Sequence, residues 1–332
     1  MGKIIRIGTR ESQLAVWQAT QVKELLALNG FASELVYIKS EGDIDLKTPL
    51  YEMGVQGIFT RSLDIALLNN TIDIAVHSMK DVPTQLPKGI IQAAVLKRGP
   101  VKDLLVWKGE WSDLSERLGF VNGEWSIVNS ESLTIGDPLT TLHSPLTIAT
   151  SSIRRKAQWL HKFPNSQMHN LRGNVNTRLR KLAEENWDGA IFAAAGLERI
   201  DLRPENSIEL DWMLPAPAQG AVMVVCREDD AITLDACVQF NDADTSFCTK
   251  IERDFLRALM GGCSTPISAY AEMKNDEIHF RGNIFSLNGQ QKAEYETTVS
   301  IPEAVHLGDE AADELLNIGG KAIADSIRDE NL

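Results

Sequence analysis

No two cysteines in this 332-residue chain are spaced as CxxC. Cys226, Cys237, Cys248 and Cys263 stand singly, so neither a zinc site nor a redox pair is expected. The six histidines form no HExxH, and no GxGxxG or Walker A pattern occurs, which leaves no metal expected and nucleotide the weaker choice of ligand. Long apolar runs are missing too: "AIFAAAGL" falls far short of the about 20 residues of a membrane span. The opening "MGKIIRIGTRES" puts arginine and threonine where a secretory signal stays apolar, which predicts a cytoplasmic chain with reduced thiols.

Positive charge is the scarcer sign. A net charge of −13 argues against a general nucleic-acid or membrane-surface binder. Yet acid is absent from Thr150 to Leu182, where Arg154, Arg155, Lys156, Lys162, Arg172, Arg178, Arg180 and Lys181 collect. Such a run in an acidic protein predicts an anion site rather than a solvated face.

What is present reads as a soluble globular protein, with 43% apolar and 24% charged residues and length for two or three domains. "IIRIGTR" is a strand, and Leu14, Trp17, Val22, Leu25 and Leu26 form a helical stripe that Gly30 closes. "SELVYIK" and Ile72–Val76 are further strands, "RSLDIALLNN" is a helix, and the polar stretch over 40–60 is a loop. "LTIATSSIRRKAQWL" repeats the strand–turn–helix order, and "WDGAIFAAAGL" repeats the acid-then-apolar pattern of "IDIAVHSMKDV". Two βα domains of similar plan with mostly parallel sheets are therefore predicted. An insertion of little periodicity spans 108–146. After "LPAPAQGAVMVVC", a helix leading to Cys263, short antiparallel strands and a final helix from about Glu310 predict an α+β module.

Several positions carry chemistry. The turns Gly8–Ser12 and Thr150–Ser152 open helices, whose N-termini attract anions, although Ser12 and Ser152 equally suit helix capping. Arg10 at one turn, and Arg154 with Arg155 at the other, favour carboxylate binding through guanidinium forks. Arg172 and Arg178, six apart, reach the same cleft if Gly173 ends a strand; Arg180 and Lys181 read as surface charge. Asp81 leaves a strand's C-terminal end beside Lys80, where open α/β sheets bind ligands, and a carboxylate there can accept an N–H, stabilise a cation or move a proton. His77 reads as structural, and Cys226, Cys237 and Cys248 as small core residues. Cys263, in "GGCSTPI", stands on a loop whose glycines can present a thiol to a cleft.

Taken together, "RIGTRESQLAVWQA", "DIAVHSMKDVPTQLP", "TSSIRRKAQ", "LRGNVNTRLRKL", "AAAGLERI", "LPAPAQGA" and "GGCSTPISAYAE" resemble, in order, the porphobilinogen deaminase family. The resemblance implies an α/β fold: two periplasmic-binding-protein-like βα domains around a cleft plus a C-terminal α+β domain. The corresponding ranges are 1–102 with 221–239, 103–216, and 243–332. It also implies a dipyrromethane cofactor on a thioether to Cys263, four porphobilinogens joined head to tail with loss of ammonia, and a monomeric enzyme without nucleic-acid or membrane partners. Asp81 is then the catalytic group at the pyrrole N–H. Arg10, Ser12, Ser78, Lys80, Thr150, Ser151, Ser152, Arg154, Arg155, Arg172, Arg178 and Gln219 bind the acetate and propionate groups.

Some positions depart from the family pattern. Gln56 stands in the 40–60 loop where a lysine is usual, with Arg61 near enough in sequence to compensate. Ala149 and Ala218 replace glycines, and are expected to narrow their turns.

Overall fold

The computed structural model describes residues 3–39, 60–121, 124–125, 145–259 and 265–330. Ile5–Thr9 forms β1, Gln13–Leu28 forms α1 and Ser33–Tyr37 forms β2, a βαβ unit with β1 and β2 parallel. The Ser12 hydroxyl accepts the Ala15 amide at 3.4 Å to start α1. Gly30, at φ +82°, takes the left-handed conformation that turns the chain away from the helix. Val22 and Leu26 are fully buried against Ile5, Ile7 and Ile74, each burial contributing about 1.5–3 kcal/mol. Leu14 and Trp17, counted in the same stripe, remain only half-buried.

Arg61–Leu68 (α2), Ile74–Ser78 (β3) and Ile90–Val95 (β4) follow. The chain then crosses to a second lobe with Asp103–Trp107 (β5) and Trp111–Leu118 (α3). A two-residue pair, β6 (Phe120–Val121) with β7 (Glu124–Trp125), precedes the second lobe's own βαβ unit. That unit is Thr147–Ala149 (β8), Ile153–Lys162 (α4) and Gln167–His169 (β9), with β8 and β9 parallel. Val175–Glu184 (α5), Gly189–Ala193 (β10), Ala194–Glu198 (α6) and Ser207–Glu209 (β11) complete this lobe. Val222–Arg227 (β12) returns to the first sheet and leads into Ala231–Val238 (α7).

The sheet orders are β2-β1-β3-β12-β4 and β9-β8-β10-β5-β11, so the two lobes share one plan. The expectation of mostly parallel sheets holds for strand direction, since in each sheet four of the five strands run the same way around one reversed strand. In each sheet two strand pairs are parallel and two antiparallel. The antiparallel strand is the one that arrives from the other lobe: β12 beside β3, and β5 beside β10. A strand entering from across a connection runs against the strands built by local βαβ crossovers.

Ala243–Ala258 (α8) begins the C-terminal unit. Ile267–Lys274 (β13), Glu277–Phe285 (β14) and Lys292–Ser300 (β15) make an antiparallel sheet, as predicted. The single final helix does not appear as one element. Leu307–Leu315 (α9) and Lys321–Glu330 (α10) are separated at Gly319, φ +117°, a conformation in which glycine carries no Cβ penalty. Within 108–146 the reading of little periodicity missed α3, whose Leu114 and Leu118 are buried one turn apart against Trp159 and Ile148. Ala149 is not in a turn: it is a fully buried β8 residue packed with Leu104 and Phe192.

Candidate active site

Ile74, Ala75 and Val76 of β3 are buried, and the chain leaves the strand at Ser78 into one 3₁₀ turn, Met79–Asp81. Met79 points into the core and anchors the turn, leaving Lys80 and Asp81 half-buried just past the C-terminal end of the central strand. Ser78 Oγ accepts from Gln18 Nε2 at 2.9 Å. Lys80 Nζ donates to Gln219 Oε1 at 3.3 Å, and Gln219 Nε2 donates to Asp103 Oδ1 at 2.9 Å and to the Val101 carbonyl at 2.7 Å. Gln219 thus ties the Lys80 turn to the first residue of β5, across the lobes. Its neighbours Ala218 and Gly220 have φ of +60° and +85°.

Asp103 was not singled out from sequence, although its strand opens on an acid just as "IDIAV" and "WDGAIF" do. It is fully buried and takes both arginines of α4. Arg154 Nη2 lies 2.7 Å from Oδ2, while Arg155 Nε and Nη2 lie 3.0 and 2.7 Å from Oδ1. Arg154 Nη1 also donates to the Leu214 carbonyl at 2.5 Å, and Arg155 Nη1 to that of Ile191 at 3.1 Å. Both guanidinium groups are 5% exposed and already engaged with Asp103 and backbone carbonyls. One carboxylate cannot neutralise two arginines, so the end of α4 keeps an excess positive field.

That field is visible in the titration of its neighbours. Burial, and then Arg155, bring Lys80 down to about 8; Asp81 and Asp103 act in the opposite sense. Burial, and then Arg155, likewise bring Arg178 down to about 10, with Arg172 adding and Asp81 opposing. Burial raises Asp103, but Arg154 and Arg155 overcome it and hold the acid well below the usual carboxylate range. Arg178 Nε donates to the Gly173 carbonyl at 2.7 Å, and Gly173 has φ +117°. Gly173 does not end a strand, since β9 stops at His169, but its turn and the Asn174 cap on the Thr177 amide start α5 and aim Arg178. Arg172 is buried.

The hydroxyls serve locally. Ser152 Oγ accepts the Arg155 amide at 3.4 Å and caps α4, as Ser12 caps α1. Thr150 Oγ1 accepts the Ser152 amide at 3.2 Å, and Ser151 is half-buried. Arg10 is half-buried and adds to burial in bringing the neighbouring His77 down to about 4. His77 is buried in β3, and among the described residues its Nε2 has no hydrogen-bond partner. Arg180 pairs with Glu184 on the exposed face of α5, as expected of surface charge.

Arg199 is a residue the sequence reading passed over, although it stands in the quoted "AAAGLERI" segment. With Ser78, Lys80 and Gln219 it lines a small pocket between the lobes. It donates to the Gly220 carbonyl at 2.6 Å and lies 5.4 Å from the centre of the Trp17 ring. Burial brings it down to about 10.

Cys263, Gln56 and all of the predicted 40–60 loop but Thr60 lie outside the described residues. Cys226, Cys237 and Cys248 are buried core thiols that burial pushes up to about 11, 12 and 11. Among the described residues no group of three or more His, Cys, Asp or Glu is placed to hold a metal, and no helix is long and apolar enough to cross a membrane.

Residues 5–235 match the family model "Porphobilinogen deaminase, dipyromethane cofactor binding domain", and residues 246–317 match "Porphobilinogen deaminase, C-terminal domain". The chain is 37% identical to a porphobilinogen deaminase of Pelobacter propionicus over 327 residues, 97% of each chain. It is 38% identical to one of Trichlorobacter lovleyi over 329 residues, 98% of this chain and 97% of the relative. Among solved structures, the methionine binding protein MetQ aligns with a TM-score of 0.40 and 14% identity, over 73% of this chain and 91% of its own.

Proposed function

The chain belongs to the porphobilinogen deaminase family, an enzyme family of tetrapyrrole synthesis, and we propose that the cleft around Lys80 and Asp81 is its active site. The reaction joins four porphobilinogens head to tail, expels ammonia and releases linear hydroxymethylbilane. The observation that carries the site is the crowding of cations. Lys80 and Arg178 both lie in the field of Arg155, offset by Asp81 at both and by Asp103 at Lys80. Such a site suits a ligand bearing several carboxylates, and each pyrrole unit brings an acetate and a propionate.

Dipyrromethane fits that donor set, and when bound, through a thioether to Cys263, it supplies the primer to which substrate is joined. Lys80, Arg10, Arg172, Arg178 and Arg199 hold carboxylates directly, with Ser78, Ser151 and Thr150 as hydroxyl partners. Arg154 and Arg155 act mainly through their field, and Gln219 sets Lys80 against Asp103. Asp81 accepts the pyrrole N–H, stabilises positive charge on the ring and moves a proton. Lys80 and Asp81 thereby serve opposite ends of one substrate.

Sheet membership supports the division into 1–102 with 221–239, 103–216, and 243–332. A cytoplasmic monomer acting without nucleic-acid or membrane partners completes the proposal; gel filtration tests the monomer. Intact-protein mass tests the cofactor: a two-ring adduct is expected on the wild type and absent from Cys263→Ala. An adduct on that variant refutes the attachment site. Asp81→Asn should keep the adduct and lose turnover by about 10²-fold or more, and near-normal rates remove the carboxylate from the chemistry.

A further inference from the structure

The Lys80–Asp81 turn is gripped from the C-terminal unit as well as from the cleft. Arg253, on α8, donates through Nη1 to the carbonyls of Val82 at 2.9 Å and Met79 at 3.4 Å, and through Nη2 to that of Pro83 at 2.6 Å. Three carbonyls flanking Asp81 converge on one guanidinium. The nearby carboxylate of Asp254 is occupied by Lys250 and Arg257 instead. Within the turn itself the Val82 amide bonds the Met79 carbonyl at 3.1 Å, and Pro83 has no N–H to add. A single 3₁₀ turn with so little internal bonding holds its shape poorly alone. The adjacent residue on α8, Glu252, accepts the Ala218 amide at 2.6 Å in the connection between the lobes. One rigid helix therefore meets both the turn and the segment that carries Gln219.

We propose that Arg253 is a positioning residue for the reaction: by fixing the carbonyls on either side of Asp81, it sets the direction of that carboxylate toward the substrate. The proposal rests on Asp81 acting as assigned above. A planar fork engages several carbonyls at once, whereas lysine offers a point charge on a flexible stem. Arg253→Lys keeps charge and one donor, so it should fold while loosening the turn; Arg253→Met removes the grip.

The test compares both variants, as cofactor-loaded enzymes well below their unfolding temperatures, with Asp81→Asn and the Asp81→Asn/Arg253→Lys double variant. The expected result is a kcat about 10- to 100-fold down in Arg253→Lys, lower still in Arg253→Met. KM for porphobilinogen should change less than kcat, since of the carboxylate-holding groups only Lys80 shares the loosened turn. In single-turnover measurements, the lysine change should add no further loss in the Asp81→Asn background, because both act through one group. Unchanged kcat with a lowered Tm, or full additivity in the double variant, overturns the proposal. Normal activity in Asp81→Asn alone overturns the reading beneath it, and is seen in a separate arm.

Discussion

Half-buried among arginines, Lys80 is a gauge of the proposed anion site. Lys80, brought to about 8 by burial and then by Arg155, loses its charge as pH rises through 8, whereas an unfolded lysine keeps it to about 10.5. The unfolded chain therefore binds more protons across that window, so this group's contribution to stability grows as pH rises from about 8 to about 10.5. Ligand binding runs the other way, because a carboxylate needs the ammonium. Affinity for porphobilinogen should fall between about pH 7 and about 9.5, and Lys80→Arg should flatten that fall; parallel profiles would remove Lys80 from the carboxylate set. Ala218 stores a different tension. Its φ of +60° costs an L-residue roughly 1–2 kcal/mol, partly offset by the greater unfolded-state freedom of glycine. Ala218→Gly is expected to raise stability by about 0.5–1 kcal/mol in urea titration. At this scale the sequence was informative wherever a charge stood beside a turn, as at Lys80 and Asp81. It was silent on Asp103 and Arg199, because what defines each is a partner more than 20 positions away: Arg154 for the acid, the Gly220 carbonyl for the arginine.

Elements were legible where one period dominated and capping residues marked the ends. α1 shows a buried spacing of Val22 and Leu26 between Ser12 and Gly30, and its bounds follow from those residues. α3 was hidden because tryptophan and charge interrupt its short apolar pair, Leu114 and Leu118. Strand direction was not legible at all for β5 and β12, since it depends on which lobe a strand joins and from which end. The turns before α1 and α4 looked alike as anion sites, yet in both the serine hydroxyl serves the helix end, and the charge comes from the arginines beyond. Packing between α8 and the C-terminal sheet leaves Gly282 little tolerance. A Cβ on Gly282 of β14 would fall 2.5 Å from the buried Phe255 ring of α8. That ring meets Phe280 edge-on at 5.2 Å and has nowhere to retreat. Gly282→Ala should cost about 1–3 kcal/mol in chemical denaturation while leaving the cleft residues in place. A neutral substitution would mean that α8 shifts freely on the sheet.

Across the whole molecule, the units are joined by polar clasps rather than by one continuous core, for the buried apolar clusters stay separate. Arg98, in the connection after β4, donates to Glu252 of α8 at 2.6 and 2.9 Å and to the Gln219 carbonyl at 3.0 Å. Glu252, fully buried, also accepts the amides of Ala218 at 2.6 Å and Ala271 at 2.8 Å. The second lobe meets the C-terminal unit through Gln158 and Ser268 at 3.0 Å, and through His161 Nδ1 and the Gly289 carbonyl at 2.8 Å. Such joints hold the units in register while leaving each lobe its own core, which suits a cleft whose contents grow during the reaction. Their energetic weight differs. The Gln158 and His161 contacts are single bonds, each worth about 0.5–1.5 kcal/mol. Removing Glu252 takes the charge partner from the largely covered Arg98 and the acceptor from two amides, a loss of about 3–5 kcal/mol. Glu252→Ala is therefore expected to separate the unfolding of the C-terminal unit from that of the lobes, visible as two transitions in calorimetry where the wild type shows one. Arg98→Ala combined with Glu252→Ala should cost less than the two single changes together, because the second removes a charge the first has already orphaned. Strict additivity would show that Arg98 and Glu252 act on separate joints, and that the connection between the lobes is not held through α8.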